Sequence, residues 1–318
     1  MIQSTRSMEP IREGTYSASS QNGQARESDW LKTIQVRRLD SIEEFRQCEQ
    51  LQARVWGPED VVRVPTLVMA MAQLNGGFTF GAFAGEQIVG FVFTNPGLTE
   101  SGDVKQCSIL MAIDPTCQSC GLGYRLKLAQ REVALAQGVD LITWTFDPLA
   151  SLNARLNLQK LGCISRRYLV DIYGTVEHGL NGGLPTDRLL VEWWLRKPAV
   201  LRRLSRLPSE PPAMEPIINE VVSDAKTGLP VLRGADLERS EPTLLLEIPE
   251  NISAMKLKDL ELARDWRYGL RRIFLHYFAR GYQTAAFHRL PCGGRVRPCF
   301  VLERSAGGSP WLSGGLRD

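Results

Sequence analysis

The chain has 318 residues, a formal net charge of +3 and a hydrophobic content of 43%, which is enough for a globular core. This charge is too small to indicate a nucleic-acid partner. Because the sequence contains neither an apolar run of about 18 residues nor the apolar segment of a secretory signal, we expect a cytoplasmic protein with no membrane partner.

Composition and periodicity divide the chain into four segments. Residues 1–29 have the polar composition of a disordered N-terminal tail, and residues 30–197 contain alternating strand and helix patterns. Residues 198–230 are basic and proline-rich, which is typical of a linker. Residues 231–318 are predicted to form a smaller α+β region. This last region could cover an acceptor site, complete the sheet or form a homodimer.

The predicted elements of residues 30–197 begin with the strand "KTIQVRRL" and the helices "SIEEFRQCEQLQARVW" and "TLVMAMAQL". A β-hairpin that turns at residues 84–86 precedes the strand "VKQCSILMAIDP". The next helix has an apolar stripe formed by Leu122, Leu126, Ala129, Val133 and Ala136. The strand "DLITWTFDP", the helix "SLNARLNLQKLG" and the strands "ISRRYLVDIYG" and "DRLLVEWWL" complete the segment.

Two glycines, Gly121 and Gly123, stand where the helix after the strand "VKQCSILMAIDP" begins. Free N–H groups and the positive end of the helix dipole favour an anion at such a position, and a pyrophosphate would fit. The Gly-Lys-Ser/Thr of a Walker loop is absent, and the dinucleotide fingerprint would need glycine where Leu126 stands. A glycine-tolerant turn with no ligand is the alternative interpretation.

The segment "AIDPTCQSCGLGYRLKLAQREVALAQG" resembles the signature of the GNAT acyl-CoA N-acyltransferase superfamily. The family pattern Gln/Arg-x-x-Gly-x-Gly/Ala is matched by Gln118, Gly121 and Gly123, and Pro115 matches a proline common just upstream. The resemblance covers roughly residues 32–195. It implies an α/β (α+β) fold with a mixed, mostly antiparallel sheet flanked by helices.

The resemblance also implies a cofactor site for acetyl-CoA or another acyl-CoA, used as co-substrate with no metal ion. The pyrophosphate would lie on the loop formed by Gln118, Ser119, Cys120, Gly121, Leu122, Gly123 and Tyr124. The pantetheine arm would pair with the strand at Met111 and Ile113, where this strand and the next one splay apart. An amine would attack the thioester directly, and a backbone N–H near Ile113 would bond the thioester oxygen.

The sequence departs from the family pattern at three places. Leu158 stands where many members have the tyrosine that protonates the leaving thiolate, so that role is unassigned. Ser151 stands at the usual offset of an asparagine, and Asn153 or Asn157 is expected to bond the pantetheine amides instead, unless it is only a polar residue of the helix surface. Ser119 and Cys120 stand where many members have glycine and arginine, so one fewer cation is available for phosphate. Arg125 and Lys127 could supply that charge, unless they are ordinary surface residues.

Asp147 is the candidate general base or ammonium anchor, because it ends the strand beside the acyl gap. Its alternative role is to turn the chain before Pro148, and Glu192 is a second candidate base. The Cys117–Cys120 pair lacks the second pair of ligands that a structural zinc site requires, so we expect no metal site.

The favoured interpretation is an N-acyltransferase that uses acyl-CoA, acetyl by default, and acts on the primary amine of a small molecule such as an amino acid. A non-catalytic acyl-CoA-binding sensor or scaffold and a protein acetyltransferase are the alternatives.

Overall fold

The computed structural model describes residues 29–57, 63–174, 182–205, 216–292 and 295–304. The tail predicted for residues 1–29 lies outside these ranges, except for Asp29. The helices are α1 (Asp29–Thr33), α2 (Ile42–Trp56), α3 (Thr66–Leu74), α4 (Leu122–Ala136), α5 (Ser151–Ala154), α6 (Pro198–Leu204), α7 (Ile252–Lys258) and α8 (Leu260–Ala279). A 3-10 turn spans Pro115–Cys117, and a π-helical segment, Arg155–Lys160, continues α5.

The strands are β1 (Gln35–Arg38), β2 (Phe78–Ala84), β3 (Gln87–Leu98), β4 (Val104–Ile113), β5 (Leu141–Phe146), β6 (Ile164–Leu169), β7 (Arg188–Trp194), β8 (Asn219–Ser223), β9 (Pro230–Ala235), β10 (Thr243–Glu247), β11 (Tyr282–Cys292) and β12 (Arg295–Arg304).

Ten of these strands form one sheet in the order β1-β2-β3-β4-β5-β7-β6-β11-β12-β10, while β8 and β9 pair separately. Neighbours in the large sheet run antiparallel, except that β4 and β5 are parallel. The predicted fold class, a mixed and mostly antiparallel sheet flanked by helices, is therefore confirmed. The hairpin between β2 and β3 turns at residues 84–86, as predicted.

The two faces of the sheet are covered by different helices. On one face, here called the α2 face, Phe91 and Phe93 pack in one apolar cluster with Phe45 of α2 and Met69 of α3. On the other, the α4 face, Val92 packs with Leu122 and Leu126 of α4. The same α4 face continues into the largest cluster, where Ile142 and Trp193 share a core with Phe274 of α8. Burial of these faces supplies the main driving force for the arrangement.

The first predicted strand is shorter than expected, because Lys32 and Thr33 belong to the short helix α1. The Arg125 guanidinium on α4 donates to the carbonyl oxygens of Leu31 and Ile34, each at 2.7 Å. These bonds satisfy backbone acceptors where the helix ends and β1 begins. Arg125 therefore binds the chain itself, whereas its sequence position beside the glycine loop suggested a contact to phosphate.

The buried face of α4 also differs from the predicted stripe. Leu122 and Leu126 are buried as expected, but Ala136 is exposed. The polar side chains of Lys127 and Gln130, which the apolar stripe did not include, are buried. Apolar periodicity cannot detect such residues, because a buried polar group is paired through contacts that only the folded chain provides.

The C-terminal part of the chain completes the sheet, which was one of the three roles open to it. Strand β11 joins β6 at Thr284 and Ser165, and β12 and β10 follow. Helix α6 and strand β8 lie inside the segment 198–230 that composition suggested to be a linker. Within residues 231–318, α7 and α8 are separate helices, because Asp259 ends α7 and caps α8.

A buried amide ties β8 to β10. The Asn219 side chain donates to the Glu247 carbonyl and accepts from the Glu247 N–H, both at 2.9 Å. We expect Asn219→Ala to lower the free energy of unfolding by about 2–4 kcal/mol, because two buried backbone groups lose their partners. The exposed Ser223→Ala on the same strand should change it by less than about 0.5 kcal/mol. Urea denaturation of both variants measures the difference, and equal midpoints would refute this role.

Candidate active site

Strands β4 and β5 diverge after only two paired positions. Gln106 pairs with Ile142 and Cys107 with Thr143. Beyond these positions β4 continues to residue 113 and β5 to residue 146, and the two strands no longer pair with each other. The register of β4 against β3 shifts between Ser108 and Leu110, which places a bulge where the divergence begins. The gap between residues 108–113 of β4 and residues 144–146 of β5 is called the wedge below.

The wedge edge of β4 presents free backbone groups. The N–H of Asp114 donates to the Val89 carbonyl of β3 at 2.9 Å. Because backbone groups of an antiparallel pair alternate in direction, the N–H and C=O groups of Ile113 and Met111 point away from β3 and into the wedge. An extended chain with amide groups could pair with this edge. The Gln118 side-chain amide already donates to the Ile113 carbonyl at 3.2 Å.

Helix α4 begins beside the open end of the wedge. Its N-cap residue is Gly121, at a φ of 96°, and no side chain caps the first turn. The conformation requires glycine, and a Cβ placed there would meet open space. The first N–H groups of this 15-residue helix are therefore accessible to an anion. The preceding loop also holds Ser119 at a φ of 62°.

The other loop residues have mainly structural contacts. A Cβ at Gly123 would lie 3.2 Å from the Ile113 side chain and 3.4 Å from that of Met111, so this glycine allows α4 to approach β4 closely. Leu122 is buried, and Tyr124 packs against the main core. The Cys120 thiol donates to the Cys117 carbonyl at 2.7 Å. The described residues contain no group of three or more potential metal ligands.

The closed end of the wedge contains a buried lysine. The Lys127 ammonium donates to the Ser108 hydroxyl of β4 at 2.8 Å and to the Gln130 side-chain oxygen at 3.1 Å. It also lies 3.6 Å from the ring centre of Trp144 on β5. Burial lowers the pKa of Lys127 to about 7, because the charged form loses its hydration.

Asp147 stands at the mouth of the wedge, but its carboxylate is fully engaged. The Arg267 guanidinium of α8 donates to both of its oxygens, at 2.8 and 2.6 Å, and the Leu149 N–H donates to one of them at 2.8 Å. Desolvation alone would raise the pKa of Asp147, but the charge and hydrogen bonds of Arg267 outweigh it and hold the pKa below its usual value. Such a carboxylate is a weak proton acceptor.

The second candidate base, Glu192, lies on β7, outside the gap between β4 and β5. Glu192 is opposite Thr143, next to the closed end, and its carboxylate accepts from Arg166 at 2.7 Å and from the Trp194 indole at 2.8 Å. It lines a cavity of about 510 Å³ that also includes Arg203. Among the described residues that line this cavity, none belongs to β4 or β5.

The structure places the remaining predicted residues on the segment after β5. Asn153 is exposed on α5, Asn157 is buried in the π-helical segment, and Leu158 is fully buried in the core. Leu158 therefore offers no proton donor, as the sequence indicated.

Two contacts span the α2 face of β5. The Tyr173 hydroxyl lies 2.9 Å from the Thr145 hydroxyl. Arg167 of β6 reaches Glu100, in the turn between β3 and β4, at 3.3 Å, although β5 and β7 lie between their strands in the sheet. Both contacts join side chains across this face of the sheet.

The sequence suggested Lys127 only as a possible phosphate contact or a surface charge, and it did not single out Arg267. Both are charged residues at helix positions whose neighbours on the same face are largely apolar, and this is the one signal that marks them in the sequence. Their partners on β4, on β5 and beyond the end of β5 come from distant parts of the chain, which no local pattern identifies.

The strand order, the wedge and the glycine loop at the head of α4 agree with the expectations from the resemblance. Residues 35–194 thus have the mixed, mostly antiparallel sheet that the resemblance to the GNAT superfamily implies. No family model and no curated protein matches the chain.

Several solved structures are similar to about half of this chain at low sequence identity. The ribosomal-protein-S18-alanine N-acetyltransferase of Escherichia coli is 14% identical over 52% of this chain and 95% of its own, with a TM-score of 0.41. A GNAT-family acetyltransferase of Streptococcus pneumoniae is 18% identical over 50% and 97%, with a TM-score of 0.40. A chain of the NatC complex bound to Gag peptide and CoA is 14% identical over 50% of this chain and 96% of its own, with a TM-score of 0.41.

No described helix is long and apolar enough to cross a membrane.

The Asp147–Arg267 pair should contribute stability, because Arg267 is only 1% exposed. We expect Asp147→Asn to lower the free energy of unfolding by about 3 kcal/mol, since it leaves a buried guanidinium without its counter-charge. The matched control is Asp140→Asn, which removes an exposed ion pair with Arg196 and should cost less than about 1 kcal/mol.

Because of the Asp147–Arg267 pair, we expect the free energy of unfolding to depend on pH. A carboxylate with a lowered pKa stabilises the fold at pH values above its unfolded pKa of about 3.9, and this stability is lost as the pH falls through the folded pKa. The difference in unfolding free energy between the wild type and Asp147→Asn should therefore shrink below about pH 4. A difference that stays constant from pH 7 to pH 3 would contradict this assignment.

Proposed function

We propose that this chain is an acyl-CoA-dependent N-acyltransferase that transfers an acyl group, acetyl by default, directly to the primary amine of a small molecule such as an amino acid. The observation that carries the proposal is the position of the wedge next to the uncapped start of α4. Gly123 contacts the side chains of Ile113 and Met111, so the anion site and the free strand edge are contiguous.

Each part of an acyl-CoA has a counterpart in this geometry. The pyrophosphate would accept hydrogen bonds from the N–H groups of residues 119–123, next to the positive end of the α4 dipole, because those of Gln118 and Tyr124 donate to Pro115 and Gly121. The amide groups of the pantetheine arm would pair with the free edge of β4 at Ile113 and Met111. This pairing requires the Gln118 amide to leave the Ile113 carbonyl.

The thioester would then lie in the wedge, where a free N–H of β4 can bond the carbonyl oxygen as it becomes negative during attack. Holding the amine and the thioester together supplies most of the rate enhancement in this proposal. Because its oxygens are bound by Arg267, Asp147 takes a positioning role, fixing the end of β5, and the general base is left to another group or to water.

A small acceptor is supported by the two contacts across the α2 face of β5. A protein acetyltransferase would need an extended groove there, and the contacts of Tyr173 with Thr145 and of Arg167 with Glu100 would cross such a groove. The non-catalytic sensor is the second candidate function, and the engaged state of Asp147 and Glu192 favours it.

The deciding experiment incubates the protein with several acyl-CoAs and pooled small amines or short peptides. A thiol reagent reports free CoA, and mass spectrometry identifies the acylated product. We expect CoA release that depends on a small amine. Release only with peptides would support a protein acetyltransferase, and acyl-CoA binding without any release would support the sensor.

Gly121 offers a sharp test of the anion site. We expect Gly121→Glu to abolish CoA binding in calorimetry, because the carboxylate would repel phosphate at the helix start. Gly138→Glu is the matched control, since it has the same charge change, a similar positive φ of 76° and open space at the other end of α4. Gly123 is less suitable because a side chain there would press on β4. Equal CoA affinity in the two variants would refute the assignment.

A further inference from the structure

The Lys127 ammonium lies where the two strands of the wedge separate. Its hydrogen-bond partner Ser108 is the first residue of β4 beyond the positions that pair with β5. Trp144, whose ring the ammonium contacts, is the first residue of β5 beyond the positions that pair with β4. Lys127 is only 2% exposed. A side chain at this point contacts both walls of the gap at its closed end.

The contacts of this ammonium are all uncharged in the part of the chain that the structure describes. They are the Ser108 hydroxyl, the Gln130 amide oxygen and the Trp144 ring, and the Cys163 thiol nearby is kept neutral because burial raises its pKa. A buried cation without a carboxylate partner is expensive to maintain, so structural stability alone does not account for a lysine here. A methionine of similar length would fill the same space without that cost.

The position of Lys127 along α4 relates it to the proposed cofactor path. Gly123 lies beside Ile113 and Met111, and Lys127, one helical turn further along, lies beside Ser108. An extended pantetheine arm that pairs with Ile113 and then Met111 continues toward residues 109 and 108. Its sulfur would therefore arrive at the closed end of the wedge, next to the Lys127 ammonium.

We propose that Lys127 is the proton donor to the thiolate of coenzyme A as it leaves, a role that rests on the proposed acyltransferase function. The amine nitrogen forms a bond to the thioester carbon, the carbon–sulfur bond breaks, and the sulfur takes its electron pair. The Lys127 ammonium gives one proton to this thiolate. The attacking nitrogen loses its proton to water, and water returns a proton to Lys127.

The lowered pKa of Lys127 agrees with this chemistry. An alkyl thiol has a pKa of about 8.5, so an ammonium with a pKa of about 7 donates its proton to the thiolate downhill. The assignment also supplies the donor that Leu158 cannot provide.

The first experiment uses the wild type alone and compares the binding of CoA with that of desulfo-CoA, which lacks the thiol. We expect CoA to bind more tightly than desulfo-CoA, at a ratio that changes between pH 6 and 9 as Lys127 and the thiol titrate. The groups facing Lys127 are Ser108, Gln130, Trp144 and the Cys163 thiol, and burial keeps that thiol neutral by raising its pKa. Equal affinities at every pH would overturn the proposal.

The second experiment compares the wild type with Lys127→Met. We expect the variant to lose at least about 10²-fold in kcat and to lose the fall of kcat at basic pH, while its affinity for desulfo-CoA is unchanged. A purely structural role would lower stability without removing that limb of the pH profile. Lys105→Met, on a partly exposed residue of β4, is the control for loss of one lysine charge.

The outcomes separate this inference from the proposed function. Turnover with an unchanged pH profile in Lys127→Met would refute the role of Lys127 and leave the acyltransferase intact. Absence of both CoA binding and turnover in the wild type would refute the acyltransferase itself. An acyl group found on Lys127 by mass spectrometry, after incubation without amine, would show that this nitrogen is a nucleophile and would also overturn the proposal.

Discussion

The arrangement of the site depends on the loss of pairing between β4 and β5. Two parallel strands normally share hydrogen bonds along their whole length, and here only two positions do so. The bulge in β4 at Ile109 ends the pairing, and the strands diverge beyond it. Unpaired backbone groups are costly unless solvent or a ligand satisfies them, and the proposed function assigns the free edge of β4 to a ligand.

Two charged side chains from helices hold the wedge at its opposite ends. Lys127 contacts both strands where they separate, and Arg267 fixes Asp147 just beyond the end of β5. Both are almost fully buried, and both contact residues from other elements of the sheet. The C-terminal part of the chain therefore has two roles. Its strands extend the sheet, and its helix α8 supports the wedge through Arg267.

The features that could be predicted from the sequence are those specified locally. The hairpin at residues 84–86, the strand that ends before Pro115 and the glycine-headed helix α4 follow from turn residues and periodicity. The engagement of Asp147 could not be predicted, because its partner is 120 residues away. The burial of Lys127 could not be predicted either, because a lysine is usually exposed and its partners on β4 and β5 are brought to it only by folding. Composition misled for residues 198–230, where a basic, proline-rich segment contains α6 and β8.

The separation between Asp147 and Arg267 has a consequence for the newborn chain. A ribosome adds roughly 5–20 residues per second, so the 120 residues between them take roughly 6–24 s to synthesise. Strands β4 and β5 can emerge and fold during that interval, but the two hydrogen bonds from Arg267 to Asp147 cannot yet form. The nascent protein thus exists for many seconds with an unclamped wedge, and it acquires its final geometry only when α8 leaves the exit tunnel.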